Sequence, residues 1–322
     1  MTPSCRILLD VDTGIDDAMA IVFALNSPSV HLEAVTTTYG NIDVASATRN
    51  TLQVLEAAGR GDVPVAAGAS RALTREYLGG GAHIHGSNGL GEVELAPPST
   101  AALDIWGPDL IIERVRANPG RIDIVPVGPM TNLAQALMKA PDIAAKVRRI
   151  IPMGGTIAHP GIPGIPSPMA DANFWNDPEA ARIVLRSGAP IVTVGMDVTM
   201  RTRLTSAMMD TIVANGSSAA QICMQAARFY LAAYQKQYPG IDHCALHDPL
   251  AVAVAADESL IEAQQMMVDI ECAGELTRGQ MIPDRRATGT TVPNARVAMT
   301  VDSARFEALF LKTLCAVPTP VA

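Results

Sequence analysis

Short apolar runs alternate with amphipathic stretches along most of the chain. Apolar runs at Ile7–Leu9, Leu32–Thr38, Val63–Ala67, Ile122–Val127, Arg149–Met153 and Ile191–Met196 predict strands. Between them, helical periodicity predicts helices over Asp16–Asn26, Ala45–Ala58, Leu103–Ala117, Asn132–Ala140 and Pro178–Arg186. Strands apolar on both faces and separated by helices form a parallel sheet covered on both sides. The expected fold is therefore α/β: a single domain over 1–322, with an open, mostly parallel sheet, a Rossmann-like core and helices on both faces.

The pattern changes towards the carboxyl end. A long helix is expected over Ser217–Tyr238, a shorter one over His247–Ala256 and a last one over Ala304–Cys315. Antiparallel strands are expected near Met267–Glu271 and Arg296–Val301, and a frayed tail at Val317–Ala322. Gly79–Pro98, rich in glycine, and Ala158–Asn176, rich in proline and glycine, read as long active-site loops. Ligands of such sheets bind beyond the carboxyl ends of the strands. Several strands here end in suitable polar or glycine turns: Tyr39-Gly40-Asn41, Val127-Gly128-Pro129, Met153-Gly154-Gly155 and Gly195-Met196-Asp197.

Composition narrows the function. Aromatics are only 4% and charged residues 17%, so the core is aliphatic and a large fraction of the chain is buried. A net charge of −8 argues against nucleic acid or an anionic membrane as partner. No run approaches the roughly 18 apolar residues of a spanning helix, and Asp10 and Asp12 interrupt the only apolar stretch near the start. The expected location is the cytoplasm. Cys5, Cys223, Cys244, Cys272 and Cys315 include no C-x-x-C pair, so idle thiols are expected. Cys244 lies near His243 and His247 but shows no context that would activate it as a nucleophile.

The densest chemistry is Asp10-Val11-Asp12-Thr13-Gly14-Ile15-Asp16-Asp17, four acids in a strand–turn–helix context. Asp10 and Asp12 share one strand face, and Asp16 and Asp17 open the helix. Two charges about 4 Å apart at an effective dielectric near 20 repel by roughly 4 kcal/mol. Helix-dipole or capping roles account for one or two acids but not four. An oxygen-only cluster points to a hard cation, calcium or magnesium. Far along the chain, His247-Asp248-Pro249 opens a helix, with Asp248 as a cap or as a further member of the cluster.

Together these segments closely resemble the inosine–uridine-preferring nucleoside hydrolases. The similarity continues in order through Thr36-Thr37-Thr38-Tyr39-Gly40-Asn41, His83-Ile84-His85-Gly86, Val127-Gly128-Pro129-Met130-Thr131-Asn132 and Met153-Gly154-Gly155. It runs on through Asn173 with Asp177-Pro178-Glu179-Ala180-Ala181, to His247-Asp248-Pro249. The resemblance implies calcium-dependent hydrolysis of the N-glycosidic bond of a ribonucleoside, by a homodimer or homotetramer. It places calcium on Asp12, Asp17, Asp248 and the carbonyl of Val127. Asp12 would deprotonate the attacking water, and His247 would protonate the leaving base. Asp16, Asn41 and Asn173 would hold the ribose, Asp171 and Met153 would line the pocket, His85 would lie near the substrate, and Asp10 would support the cluster from behind.

Some positions depart from the family. Val127 stands where some relatives have Thr, which leaves a backbone ligand unchanged. No asparagine occurs in Gly161-Ile162-Pro163-Gly164-Ile165-Pro166, and Asp171 stands in place of a longer Glu. Both changes fall on the 5′ side of the expected sugar site. Phe229, Tyr230, Tyr234 and Tyr238 have the spacing of core packing. A rival reading, a haloacid-dehalogenase-like magnesium phosphatase, starts from Asp10-x-Asp12-Thr13 and requires a later lysine, for which Lys139 and Lys146 are the candidates. A nucleoside- or ribose-binding protein without catalysis is the non-enzymatic alternative.

Overall fold

The computed structural model describes residues 5–161, 167–286 and 291–316. The tail at 317–322 and most of the asparagine-free stretch lie outside them. β1 (Cys5–Val11) is the central strand, flanked in parallel by β2 (Val30–Thr37) and β4 (Ile122–Pro126). β3 (Val65–Ala67) and β5 (Arg149–Ile150) complete a five-stranded sheet of order β3-β2-β1-β4-β5. Parallel bridges Ile150–Ile191 and Met153–Val194 continue it towards β6 (Val192–Thr193). The strand order reverses between β1 and β4, where such sheets open a ligand crevice.

Helices cover both faces: α1 (Ile15–Asn26), α2 (Val44–Ala57), α3 (Ala82–His85), α4 (Gly107–Ala117), α5 (Thr131–Lys139), α6 (Ala172–Asn176) and α7 (Pro178–Leu185). α1 is apolar on every side and is correspondingly buried on every side, Leu25 alone being only partly covered. α4 begins at Gly107, not Leu103, because Pro108 belongs in a first turn and Trp106 is already extended. The glycine-rich loop contains the single turn α3, and the second loop ends in α6.

The carboxyl-terminal part adds α8 (Met196–Thr199), β7 (Leu204–Thr205), α9 (Ser206–Asn215), α10 (Ser218–Gln237), β8 (His243–Cys244) and α11 (His247–Ala256). β9 (Ile261–Met266), β10 (Val268–Ile270), β11 (Met281–Pro283), β12 (Ala295–Val301) and α12 (Ser303–Cys315) follow. The two expected strands do not pair with each other. β10 forms an antiparallel ladder with β11, whereas β12 lies antiparallel to β9 and parallel to β6. Phe23 of α1 stacks on Phe310 of α12, with ring centroids 6.0 Å apart, which ties the last helix to the first. α11 packs along α1, so Asp248 reaches the acids near the start of the chain. Among the described residues no helix is long and apolar enough to cross a membrane.

Candidate active site

β1 delivers Asp10 to the sheet's carboxyl edge, opposite Thr36 of β2 and Pro126 of β4. Asp10 is fully buried, and its Oδ1 accepts from Thr36 Oγ1 and Asn132 Nδ2, both at 2.7 Å. Burial lifts its carboxyl to about 7. Asp12 follows immediately beyond the strand, where Oδ2 accepts the Asn41 N–H at 2.7 Å. Its other oxygen has no partner among the described residues. Two glycines make room for it: a Cβ on Gly40 would overlap Oδ2, and one on Gly128 would lie 2.7 Å from Oδ1.

Asp17 ties down the turn into α1. It accepts the Asp12 N–H at 3.1 Å, the Gly14 N–H at 2.9 Å and Asn41 Nδ2 at 3.0 Å. Asp16, Asp17 and Asp248 bring one carboxylate oxygen each to within 4.8 Å of one another, and all three are buried. Burial, then their mutual repulsion, raises Asp248 well above its ordinary range. Asp16 and Asp17 rise to about 6, burial again being the main cause. Asp12 is raised by burial and by Asp17, whose carboxyl it meets, without being one of the three acids that share that mutual distance. Asp16 Oδ1, like Asp12 Oδ1, is buried without a partner. Buried, mutually repelling carboxylates with orphaned oxygens are what a hard divalent cation satisfies, so the donor set fits one.

A cavity of about 350 Å³, within the range of small-molecule sites, opens over this trio. Asp16, Asn41, Val127, Met153, Asn173 and Asp248 line one side of it, and His85 and Asp171 also reach it. Asn173 Nδ2 is already spent on the carbonyls of Val127 (2.7 Å) and Met153 (3.0 Å), and Asn41 Nδ2 on Asp17, which leaves their carbonyl oxygens to accept. Asp171 uses both oxygens on backbone N–H groups of Gly155, Asn173 and Phe174, so it shapes the loop end and caps α6. His85 Nδ1 accepts the Ile15 N–H at 3.1 Å, and burial lowers the ring to about 4. The imidazole is therefore neutral at pH 7, with its proton on Nε2.

Tyr230, Tyr234 and Gln237 of α10 and its C-cap residue Tyr238, with Met200 and His247, form the facing side. Tyr230 and Tyr234 pack edge to face at 4.9 Å, and Tyr230 Oη lies 3.4 Å from Asp16 Oδ2. His247 is held between Tyr234 Oη (2.6 Å at Nε2) and Thr199 Oγ1 (2.7 Å at Nδ1). The packing role expected of the tyrosines is only half of it, because they also wall the cavity. Three of the chain's five tyrosines recur every four residues along α10 and its C-cap, and that concentration was the available signal.

Other candidates lie elsewhere. Lys139 pairs with Asp109 and Lys146 with Asp142 on the surface, away from the acids. Cys244 is buried against the Leu204 carbonyl with its thiol pushed well up, which suits packing. His243 pairs with Asp242, and neither His243 nor His159 lines the cavity.

The sequence profile of the "Inosine-uridine preferring nucleoside hydrolase" family matches residues 7–308. A probable uridine nucleosidase of Arabidopsis thaliana is 35% identical, over 92% of this chain and 94% of its own. The structure of a purine-preferring ribonucleoside hydrolase from Gardnerella vaginalis superposes with a TM-score of 0.91 at 36% identity, covering 97% of this chain and 99% of that one. A plant nucleoside hydrolase structure also gives 0.91, at 35% identity and with 98% and 100% covered. Matched along nearly the whole length of such proteins, this chain belongs to the inosine-uridine preferring nucleoside hydrolase family, glycosidase-type enzymes that hydrolyse the N-glycosidic bond of ribonucleosides.

Proposed function

We propose that the chain hydrolyses ribonucleosides in a calcium-dependent reaction, with Asp12 as the base and the Tyr234–His247 pair at the leaving group. The observation that carries this reading is the acceptor-rich face over the trio of Asp16, Asp17 and Asp248. Carboxylates and asparagine carbonyls accept hydrogen bonds, which suits the hydroxyls of a sugar. The cation would be held by Asp17 and Asp248 with Asp16 beside them, and by Asp12 and the carbonyl of Val127. Calcium there would supply the charge that acidifies a water and grips vicinal hydroxyls.

Asp12 has the carboxylate for proton abstraction: the Asn41 N–H holds Oδ2 beside Gly40, while Oδ1, buried beside Gly128, has no partner of its own. Asp16, Asn41 and Asn173 accept ribose hydroxyls. As the bond to the base lengthens, positive charge grows on the sugar, and the surrounding carboxylates favour that state over neutral substrate. At the leaving side, burial lowers His247 to about 3, so the ring is a neutral member of a hydrogen-bonded chain and not the ready imidazolium expected from its ordinary value.

Dialysis against a calcium-selective chelator is expected to abolish base release from uridine and inosine, and added calcium to restore it. Full turnover by protein shown metal-free by elemental analysis would end the calcium reading. Gly40→Ala should displace the Asp12 carboxylate. Because a misplacement near 1 Å costs roughly 10²-fold, kcat should fall by about that factor. An unaltered kcat would mean that the exact seat of Asp12 is immaterial.

A further inference from the structure

We propose that Asn50 is a positioning residue that clips the His85 turn to the acid turn, and so fixes where His85 stands on the cavity wall beside Asp16. The inference rests on the hydrolytic reading above, in which that wall meets the nucleoside. Asn50 lies on α2, is only 2% exposed and does not line the cavity. Its Nδ2 donates to two separate segments, to the Thr13 carbonyl at 3.2 Å and to the Asn88 carbonyl at 2.9 Å. Thr13 follows Asp12 directly, and Asn88 follows His85 by three residues. One amide thus joins the backbone that carries the acids to the backbone that carries the histidine.

The side chain suits the task. Two carbonyls that face one point need two donors there, and a planar NH₂ group supplies both. The approach is close. A Cβ on Gly89 would lie 2.9 Å from Asn50 Nδ2, and the φ of +80° at that position favours glycine as well.

The two joined segments are not equally firm. The acid turn is held by the Asp17 carboxylate and, independently, by Thr51 of α2. Thr51 Oγ1 gives its proton to the Ala47 carbonyl at 2.8 Å, so it accepts from Thr13 Oγ1 at 2.6 Å. The His85 turn is braced within itself. Asn88 Oδ1 accepts the N–H groups of Leu90 and Glu92, and the Gly91 N–H reaches the His85 carbonyl at 2.8 Å. Such a turn shifts as a unit. Two hydrogen-bonded links tie it to the acid turn, the Ile15 N–H at His85 Nδ1 and the Asn50 bridge. The first grips only the ring, which can swing about its own side-chain bonds, whereas Asn50 holds the backbone beneath it. The ring rests directly on the acid turn, since a Cβ on Gly14 would lie 2.5 Å from His85 Nδ1. With the Asn50 donors gone, the histidine turn shifts and the acids stay, so substrate binding suffers more than the chemical step.

The test compares wild type, Asn50→Leu, His85→Ala and the double variant on inosine and uridine. Asn50→Leu keeps the side chain's shape and removes both donors. It should raise KM about 3- to 10-fold, the reach of one weakened hydrogen bond, with kcat little changed. In the His85→Ala background the same substitution should add almost nothing, because the residue it positions is gone. Calcium affinity from titration calorimetry should stay within about 2-fold of wild type, the acids being held separately. Amide hydrogen exchange should quicken over residues 86–92 and not at Asp12 and Gly14. Should Asn50→Leu fail to fold, Asn50→Ser, which keeps one donor, enters the same cycle under the same criteria. An unchanged KM, losses that add across the cycle, calcium binding weakened in step with KM, or exchange left slow over residues 86–92 would overturn the inference. If wild type cleaved no nucleoside, the function reading would fall, and hydrogen exchange alone would judge Asn50.

Discussion

Asp12→Asn should lower kcat on inosine and uridine by about 10³- to 10⁴-fold while leaving the protein folded. A well-placed general base contributes roughly 10²–10⁴ in rate, and this carboxylate also faces a developing cation. The amide can still accept the Asn41 N–H and fits between Gly40 and Gly128, so no cavity is opened. Removing one of several buried, repelling acids even favours the folded state, and Tm should hold or rise. Rates from single-turnover base release, read beside thermal melts, separate the two effects. Near-normal turnover in a well-folded Asp12→Asn protein would strip Asp12 of its role.

The second large effect is a reversal of pH stability by the cation. Asp10 sits at about 7 and Asp16, Asp17 and Asp171 at about 6, with Asp12 and Asp248 also raised, against roughly 3.9 in an unfolded chain. These raised groups favour the fold most while both states are protonated. As pH climbs from about 4 to 7, the unfolded chain ionises first and the native state binds the extra protons. Stability then falls by about 1.4 kcal/mol per pH unit for each group still protonated only in the native state. His85 and His247, lowered to about 4 and 3, act in the opposite sense below about 6.5, but two rings face six carboxyls. Chelated protein should therefore melt higher at pH 5.5 than at pH 8, and calcium should raise Tm most at pH 8. Chelated protein that is more stable at pH 8 would contradict the buried-acid account.

Much of the fold was legible because its strands are apolar on both faces and its helices carry helical periodicity between them. α1, α2, α4, α5 and α7 and the central strands appear within a few residues of expectation. Where physics beyond local pattern decided, the reading ran short. β5 and β6 shrink to two residues each, because they ladder only with β4 and β12 and meet each other's segments only at isolated bridges. α9 carries mixed polarity over Ser206–Asn215 and left no clean stripe to read. The acids near the start of the chain stood out by density, yet only the way α11 lies on α1 brings Asp248 to them.

The cavity's two sides have separate origins. The acids and asparagines that meet a sugar grow from the strand edges and the start of α1, locked among core residues that tolerate little change. Tyr230, Tyr234, Gln237 and Tyr238 come from a single helix and its C-cap. Mutational drift in that helix can redraw which heterocycle is accepted while the ribose-cleaving apparatus stays intact, so new nutrient preferences lie a few codons apart on one inherited scaffold.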